Sequence, residues 1–447
     1  MKHLRLILIM FAVILLSLGI YSTGHAFHSG GVAECEGCHT MHNSFEGAPM
    51  FTGYPQFQAG PYLLRGTDQS DACLNCHEGD TLRSYRVSTP ESAMPEGTPP
   101  VQRTPGGDFG WLKKTYSWVP RSGADTEYSH GERHGHNIVA TDHGYVADST
   151  LSVAPGGSYP ANKLACSSCH DPHGKYRRNA DGSITTSGLP IRASGSYNNS
   201  PDPDANFSVG VYRLLAGADY EPKSTPGYAF TNDPPAAVAP SSYNRSEDTT
   251  QTRVAYGMGM SEWCANCHTQ LLQNNYTSGM AGLTHPAGNN AKLGLEIANN
   301  YNAYVKTGDM TGTAESSYNS LVPFEEGVTD HSVASYTTLK AHALSNDGYL
   351  QGPDATNSNV MCLSCHRAHA SGWDSMVRYN LGYEFMVGAD SDNNPGYYGT
   401  DAPYPLNNAA GAQGRTQAEH AASYYDRPAT KFAAYQRALC NKCHAKD

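Results

Sequence analysis

Cys35-Glu36-Gly37-Cys38-His39 decides the fold, because its pattern, Cys-x-x-Cys-His, occurs six times. The other copies are Cys73/Cys76/His77, Cys166/Cys169/His170, Cys264/Cys267/His268, Cys362/Cys365/His366 and Cys440/Cys443/His444. All 12 cysteines fall inside these copies. The pattern is the attachment signature of haem c. Two thiols three residues apart reach the two vinyl groups on one porphyrin edge, and the next histidine drops onto the iron as proximal ligand. A zinc ribbon needs no histidine after every pair. A thioredoxin-like motif occurs once, beside a βαβ pattern. A disulfide framework would not hold all cysteines at one spacing. The chain is therefore expected to carry six covalent haem c groups, with His39, His77, His170, His268, His366 and His444 as proximal iron ligands.

The N-terminus fits this chemistry. Lys2 and Arg5 precede an apolar run from Leu6 to Ile20, and Gly24-His25-Ala26 offers small residues to a signal peptidase. Residues 1–26 read as a cleaved secretory signal, and residues 27–447 as one hexahaem domain. Export suits haem attachment outside the cytoplasm, where spare thiols oxidise. The apolar run is short for a membrane anchor, and no other stretch could span a bilayer.

Composition bounds the architecture. The formal charge is −11, to which haem propionates would add, so a basic nucleic-acid-binding face is excluded. The chain has 45 Gly, 27 Pro and 29 Tyr, which is loop composition, and only 39% hydrophobic residues. Such a chain cannot build an ordinary aliphatic core along its whole length. Six macrocycles tied by thioether bonds supply both core and staples. The expected fold is mostly irregular coil with short α-helices and very little β, wrapped around a linear haem chain. The sites are 38, 93, 98, 98 and 78 residues apart, with no sequence repeat evident between them. Ser88–Gly107, Asn198–Asp204 and Asp219–Ser246 read as long loops. Helices are expected within Asn290–Lys306, Ser335–Leu344, Thr416–Tyr425 and Ala429–Lys442, and one short hairpin from Ile138–Ala140 to Tyr145–Ala147.

The second axial ligand decides what a haem does. Two histidines fill the iron and suit electron transfer, whereas an open position permits chemistry on a small molecule. Of 20 histidines, six are proximal and His3 and His25 leave with the signal. Twelve remain for six places: His28, His42, His130, His134, His136, His143, His173, His285, His331, His342, His369 and His420. His42, His173 and His369 each follow a proximal histidine by three residues. Each is held near one haem, cannot reach round to its far face, and is placed to ligate a neighbouring haem or to bond a propionate. His285 and His342 are further candidates, and so is His28, two residues into the mature chain. The run His130–His143 cannot supply four ligands, and most of its members read as exposed. His331 and His420 read as surface residues. Lys175-Tyr176-Arg177-Arg178 is either a propionate partner or a solvated turn.

Several long stretches carry a resemblance. They are Phe27-His28-Ser29-Gly30-Gly31-Val32-Ala33-Glu34-Cys35-Glu36-Gly37-Cys38-His39-Thr40-Met41-His42, Thr104-Pro105-Gly106-Gly107-Asp108-Phe109-Gly110-Trp111, Cys166–Arg178, Ser261–Thr269, Cys362–Gly372 and Tyr435–Asp447. Through them the chain closely resembles the OmcS-type outer-surface hexahaem cytochromes of metal-reducing bacteria, which polymerise into conductive filaments. The resemblance implies six bis-histidine haems in alternating stacked and T-shaped pairs. It implies that His42 crosses to the next subunit and ligates the fifth haem there. It matches His136 to the one ligand from the histidine-rich loop, leaving His130, His134 and His143 as additions of this chain. The matched distal candidates are His28, His42, His136, His173, His285, His342 and His369, seven for six places. The implied function is long-range extracellular electron transfer at the outer cell surface, with partner cytochromes and Fe(III) oxides as redox partners. A monomeric periplasmic shuttle is the second reading. A multihaem reductase is the third, although the Cys-x-x-Cys-Lys that often marks an open site does not occur.

Overall fold

A computed structural model describes residues 35–42, 44–45, 48–49, 61–83, 85–120, 122–172, 177–178, 184–185, 215–238, 254–272, 287–303, 322–328, 333–343, 353–381, 412–426 and 443. The elements are short. The helices are α1 (Cys35–Cys38), α2 (Gln69–His77), α3 (Met260–Cys264), α4 (Thr269–Leu272), α5 (Gly294–Ala303), α6 (Val333–His342), α7 (Cys362–Cys365) and α8 (Gln417–Ser423). The strands β1 (Ser44–Phe45), β2 (Ala48–Pro49), β3 (Tyr116–Trp118), β4 (Glu127–Ser129), β5 (Arg177–Arg178), β6 (Ile184–Thr185), β7 (Ala237–Val238) and β8 (Ala255–Tyr256) pair only as four antiparallel hairpins. The rest of the described chain is turn, 3-10 turn and coil, as the composition requires.

Helices α5 and α8 fall inside two of the expected spans, and α6 overlaps a third but starts two residues ahead of it; Ala429–Lys442 lies outside the described residues. Helix α8 is set by a capping box. Thr416 Oγ1 accepts from Glu419 N at 3.2 Å, and Thr416 N donates to Glu419 Oε2 at 3.0 Å. Helix α2 was not expected from periodicity, because its apolar residues do not recur at helical spacing. A capping box forms it too: Asp68 Oδ1 accepts from Ser70 N and Asp71 N, and Asp68 N donates to Asp71 Oδ2. The expected hairpin at 138–147 shrinks to a single bridge between Ala140 and Tyr145.

The core is aromatic and scattered. One cluster joins Tyr301, Phe324, Trp373, Val377, Tyr379 and Tyr424; another joins Trp111, Tyr116, Ala370 and Ala422. Arg415 bridges the two. It is 1% exposed, and its guanidinium lies 4.3 Å from the ring centroids of both Tyr116 and Trp373. Its Nε donates to Gly372 O at 2.7 Å and its Nη2 to Ser129 Oγ at 3.1 Å. Two ring faces and fixed acceptors together offset desolvation of the charge.

One glycine position is dictated by a close approach. Gly107 adopts φ +98°, and a Cβ there would collide with the Ala370 carbonyl. This lets the segment Thr104–Trp111 lie directly under the chain that follows the fifth site.

Removing the Arg415 guanidinium leaves Gly372 O without its donor and unstacks two rings. Arg415→Leu is expected to lose about 2–4 kcal/mol of stability. Urea unfolding followed by Soret circular dichroism checks this; an unchanged midpoint would refute the bridging role.

Candidate haem sites

The five sites described in the most detail are built by two alternating devices. Sites 2 and 4 lie on helix ends and share one local sequence. Ser70-Asp71-Ala72-Cys73-Leu74-Asn75-Cys76-His77 corresponds to Ser261-Glu262-Trp263-Cys264-Ala265-Asn266-Cys267-His268. Sites 3 and 5 share another, Cys166-Ser167-Ser168-Cys169-His170 and Cys362-Leu363-Ser364-Cys365-His366, each followed by a histidine three residues on. In both, the serine caps its own turn. Ser168 Oγ accepts from Ala165 N at 2.9 Å, and Ser364 Oγ accepts from Met361 N at 3.1 Å. A repeat that the sequence did not reveal is thus present in the structure.

Even and odd sites meet pairwise. The thiol of Cys73 hydrogen-bonds that of Cys166, and the thiol of Cys264 hydrogen-bonds that of Cys362. These thiols stand where thioether sulfurs would be once haem is attached. At each junction the serine ahead of the even site accepts from the first cysteine of the odd site. Cys166 N donates to Ser70 Oγ at 3.1 Å, and Cys362 N donates to Ser261 Oγ at 3.2 Å.

The odd sites share a backbone frame that includes site 1. A residue far along the chain bridges each proximal histidine: Leu64 to His39, Leu215 to His170, Val377 to His366. The next amide donates to the second cysteine's carbonyl: Arg65 N to Cys38 O at 2.9 Å, Ala216 N to Cys169 O at 2.9 Å, Arg378 N to Cys365 O at 2.8 Å. At sites 1 and 5 this frame holds two consecutive non-glycine residues at positive φ, Tyr62–Leu63 and Ser375–Met376. That strain aims a carbonyl at the histidine. His39 Nδ1 lies 3.1 Å from Tyr62 O, and His366 Nδ1 lies 2.8 Å from Ser375 O. The even sites reach the same end differently, with His77 Nδ1 at 2.5 Å from Tyr85 O and His268 Nδ1 at 2.8 Å from Pro155 O.

A carbonyl can only accept, so each of these Nδ1 atoms carries the ring proton. Nε2 is left as the lone-pair nitrogen that an iron needs. Burial also lowers the pKa of His77, His268 and His366, holding them neutral. Sequence reasoning missed these carbonyl partners, because a backbone atom carries no residue-type signal.

Two distal candidates stand opposite proximal histidines. The rings of His136 and His268 have centroids 6.1 Å apart, and those of His170 and His369 are 6.4 Å apart. Two imidazoles bonded at about 2 Å to opposite faces of one iron would have centroids roughly 6 Å apart. His136 Nδ1 lies 2.6 Å from Ala368 O, so its Nε2 is also the free nitrogen. Burial, together with His268, pushes its pKa down to about 4. His369 stacks on Phe109 at 4.7 Å, and its backbone N donates to Gly106 O at 2.7 Å. Half-buried imidazoles opposed in pairs beside paired cysteines are the donor set that haem c requires, so the residues present fit the group.

The remaining candidates divide. His42 is exposed, and its backbone N lies 3.4 Å from Thr40 Oγ1. His342 is half-buried with Nδ1 3.6 Å from Glu326 Oε2. The side chain of Cys35 and the residues Cys440, His444, His28, His173, His285 and His331 lie outside what the structure describes; Cys443 is described. So do Lys175 and Tyr176, while the backbone of Arg177–Arg178 pairs with Ile184–Thr185.

Two expectations are corrected, that His420 lies on the surface and that most of the run His130–His143 is exposed. His420 is not a surface residue: it is 2% exposed, packed against Trp373 and Tyr424, and burial with the charge of Arg415 drives its pKa down to about 3. His134 is fully buried, with Nε2 2.7 Å from Ser129 Oγ and Nδ1 3.0 Å from Trp111 O. His143 pairs with Glu78 at 2.7 Å; burial alone would lower its pKa, but the carboxylate outweighs burial and raises it. His130 is exposed as expected, stacked on Tyr128.

These sites define a multihaem c-type cytochrome. No family model matches the chain. It is 63% identical over 426 residues to the C-type cytochrome OmcS of Geobacter sulfurreducens, covering 94% of each protein. Two solved structures, the OmcS nanowires and the outer membrane cytochrome S filament of that organism, superpose with TM-scores of 0.82 and 0.83 at 61% and 62% identity, over 94% of this chain and all of theirs. The chain belongs to the OmcS family of hexahaem c-type cytochromes.

The junction of sites 4 and 5 also buries a carboxyl group. Glu325 is fully buried, accepts from Met260 N at 2.8 Å and from Asn359 Nδ2 at 2.6 Å, and burial with neighbouring Glu262 pushes its pKa up to about 7. A carboxyl whose pKa is higher folded than unfolded binds its proton more tightly when folded. Its stabilising effect is complete below about pH 4.5 and is lost as pH rises to about 7. Glu325→Gln is expected to flatten the stability difference between pH 5 and pH 8, measured as urea midpoints. An unchanged slope would assign the pH dependence to another group.

Proposed function

We infer that this protein conducts electrons outside the cell, through six haems per subunit and across subunits joined head to tail in a filament, to acceptors such as Fe(III) oxides. The observation that carries this reading is the pairing of His136 with His268 and of His369 with His170, each across more than a hundred residues of chain. An axial bond that ties one haem segment to another makes a continuous row rather than separate beads.

The pairing follows a rule. His369, three residues after the proximal histidine of site 5, serves site 3. The same step places His173 on site 1, and His42 on site 5 of the next subunit. His136, from the segment between sites 2 and 3, serves site 4. The corresponding segment ahead of site 1 offers His28 to site 2, and the one between sites 4 and 5 offers one of His285 and His342 to site 6. Six of the seven candidates then fill the six places, and one of His285 and His342 is left without an iron.

Haem bound at these sites would supply the one-electron chemistry of its iron. Everything else is positioning by the chain. The cysteine pairs fix each macrocycle's edge, the carbonyls of Tyr62, Tyr85, Pro155 and Ser375 fix the imidazole tautomer, and the aromatic clusters exclude water. With every axial place taken by histidine, no iron stays open to a substrate, and the protein carries electrons without turning over a substrate of its own. A head-to-tail contact between two different surfaces does not close, so it propagates. Residues 1–26 would direct export and be removed, leaving residues 27–447 as the conducting unit. No helix among the described residues is long and apolar enough to cross a membrane.

His136→Ala and His369→Ala are each expected to convert one haem per chain from low-spin to high-spin and to let the reduced protein bind one carbon monoxide, read by electron paramagnetic resonance and Soret titration. Six low-spin haems in either variant would overturn that axial assignment. His42→Ala is expected to open one haem per chain in the same way and to shorten or abolish filaments seen by electron microscopy; intact filaments would move the bridging role to another histidine.

A further inference from the structure

We propose that Asp374 is a positioning residue for two haem sites at once: it anchors the turn whose Ser375 carbonyl holds His366 at site 5, and it ties down the segment that carries His136 to site 4. This rests on the axial assignments above and adds the side chain that couples them.

The turn Asp374–Met376 is a 3-10 turn in which Ser375 and Met376 stand at φ +58° and +48°. Two adjacent non-glycine residues in the left-handed region are strained, and they persist only where their surroundings over-determine them. Their conformation brings Ser375 O to 2.8 Å from His366 Nδ1. Behind the turn, Met376 O accepts from Arg367 N at 2.9 Å, and Val377 bridges His366. In front of it, the restraint is the Asp374 carboxylate. Its Oδ1 accepts from Ser129 Oγ at 2.5 Å, and its Oδ2 lies 2.9 Å from Arg133 Nη2. Ser129 stands 245 residues earlier in the chain.

The gripped segment runs straight into His136. Ser129 Oγ also lies 2.7 Å from His134 Nε2, and Arg415 Nη2 donates to it at 3.1 Å. His134 O accepts from Ser371 N at 3.0 Å, Gly135 bridges Ala370, and His136 N donates to His369 O at 2.9 Å. His136 Nδ1 lies 2.6 Å from Ala368 O. Among the described residues this backbone ladder ends at Ser371, and Asp374 extends it through side chains to Ser129 and Arg133. The stretch 366–376 therefore carries the proximal histidine of site 5, the carbonyl that sets the tautomer of His136, and the carboxylate that grips the residues leading up to it.

The weight falls on the Ser129 contact. Arg133 is 55% exposed at its side chain, and an ion pair in water adds little. Ser129 is 1% exposed, so its hydroxyl has no solvent to turn to. Sites 4 and 5 are also the pair whose first cysteines, Cys264 and Cys362, touch. One carboxylate thus sets imidazole geometry on both sides of a junction between sites. A firm bond from an imidazole Nδ1–H to a carbonyl makes the ring a better donor and favours ferric iron, so loosening the Ser375 carbonyl makes that haem easier to reduce.

The test uses the whole secreted holoprotein with Asp374→Ala, Ser129→Ala, both together, and Asp374→Asn, which keeps an oxygen for Ser129. His136→Ala runs beside them. Low-spin electron paramagnetic resonance signals and haem-resolved redox titrations are recorded with haem content per chain. Each alanine variant is expected to shift the signals of two haems and leave the other four unchanged. At one of the two, the ferrous-to-ferric ratio at a fixed potential is expected to rise severalfold. The double variant is expected to shift them no further, because both changes cut one bond, and Asp374→Asn to stay near wild type. Unchanged signals at all six haems in the alanine variants would overturn the proposal. So would equal shifts at all six, additive effects in the double variant, or an Asp374→Asn protein as altered as Asp374→Ala. Six low-spin haems in His136→Ala would instead sink the axial reading beneath it.

Discussion

An imidazole reaches an iron only where its backbone carries it, and that constraint organises the rest of this structure. Each attachment motif is five consecutive residues, but the imidazole that stands opposite the motif's histidine at sites 3 and 4 comes from a distant part of the chain. Gly107 and Gly135 lie bare against Ala370 and His369, and this close approach sets His369 facing His170 and His136 facing His268. The short helices, four small hairpins and aromatic clusters are what remains once those approaches are satisfied. A chain with so few aliphatic residues has no other source of long-range order of comparable strength.

The sequence made one half of each site readable and hid the other. Cysteine spacing and the proximal histidine are local, because covalent attachment to one porphyrin edge demands it. The distal ligand is set by three-dimensional approach. His134 and His136 differ by two positions and sit on either side of Gly135, yet one bonds Ser129 and the other faces His268. Gly135 is fully extended, with φ −179° and ψ −164°. The chain straightens and narrows at that point, so small offsets along it lead to different partners. Helix α8 was legible because Thr416 and Glu419 state a capping box beside a periodic run. Helix α2 was not, because its buried side chains are Ser70, Asp71, Ala72 and Leu74, half of them polar and without an apolar period. His420 looked like a surface residue because nothing in its neighbourhood of sequence announces Trp373.

The internal repeat is the most consequential feature that sequence reading passed over. Its signature is spread over a serine before one site and a serine inside another, about a hundred residues on, so no window of ordinary length contains it. Only the hydrogen bonds Cys166 to Ser70 and Cys362 to Ser261 make the correspondence visible. Once seen, it makes the junction of sites 2 and 3 and the junction of sites 4 and 5 two copies of one unit.

The measurement closest to the central claim is a cryo-microscopy reconstruction of filaments of this protein at a resolution that shows imidazole rings. The account predicts an unbroken haem row in which His136 and His268 share one iron, and His369 and His170 share another. Dispersed hexahaem monomers, or irons bearing a different distal residue at those two sites, would contradict it.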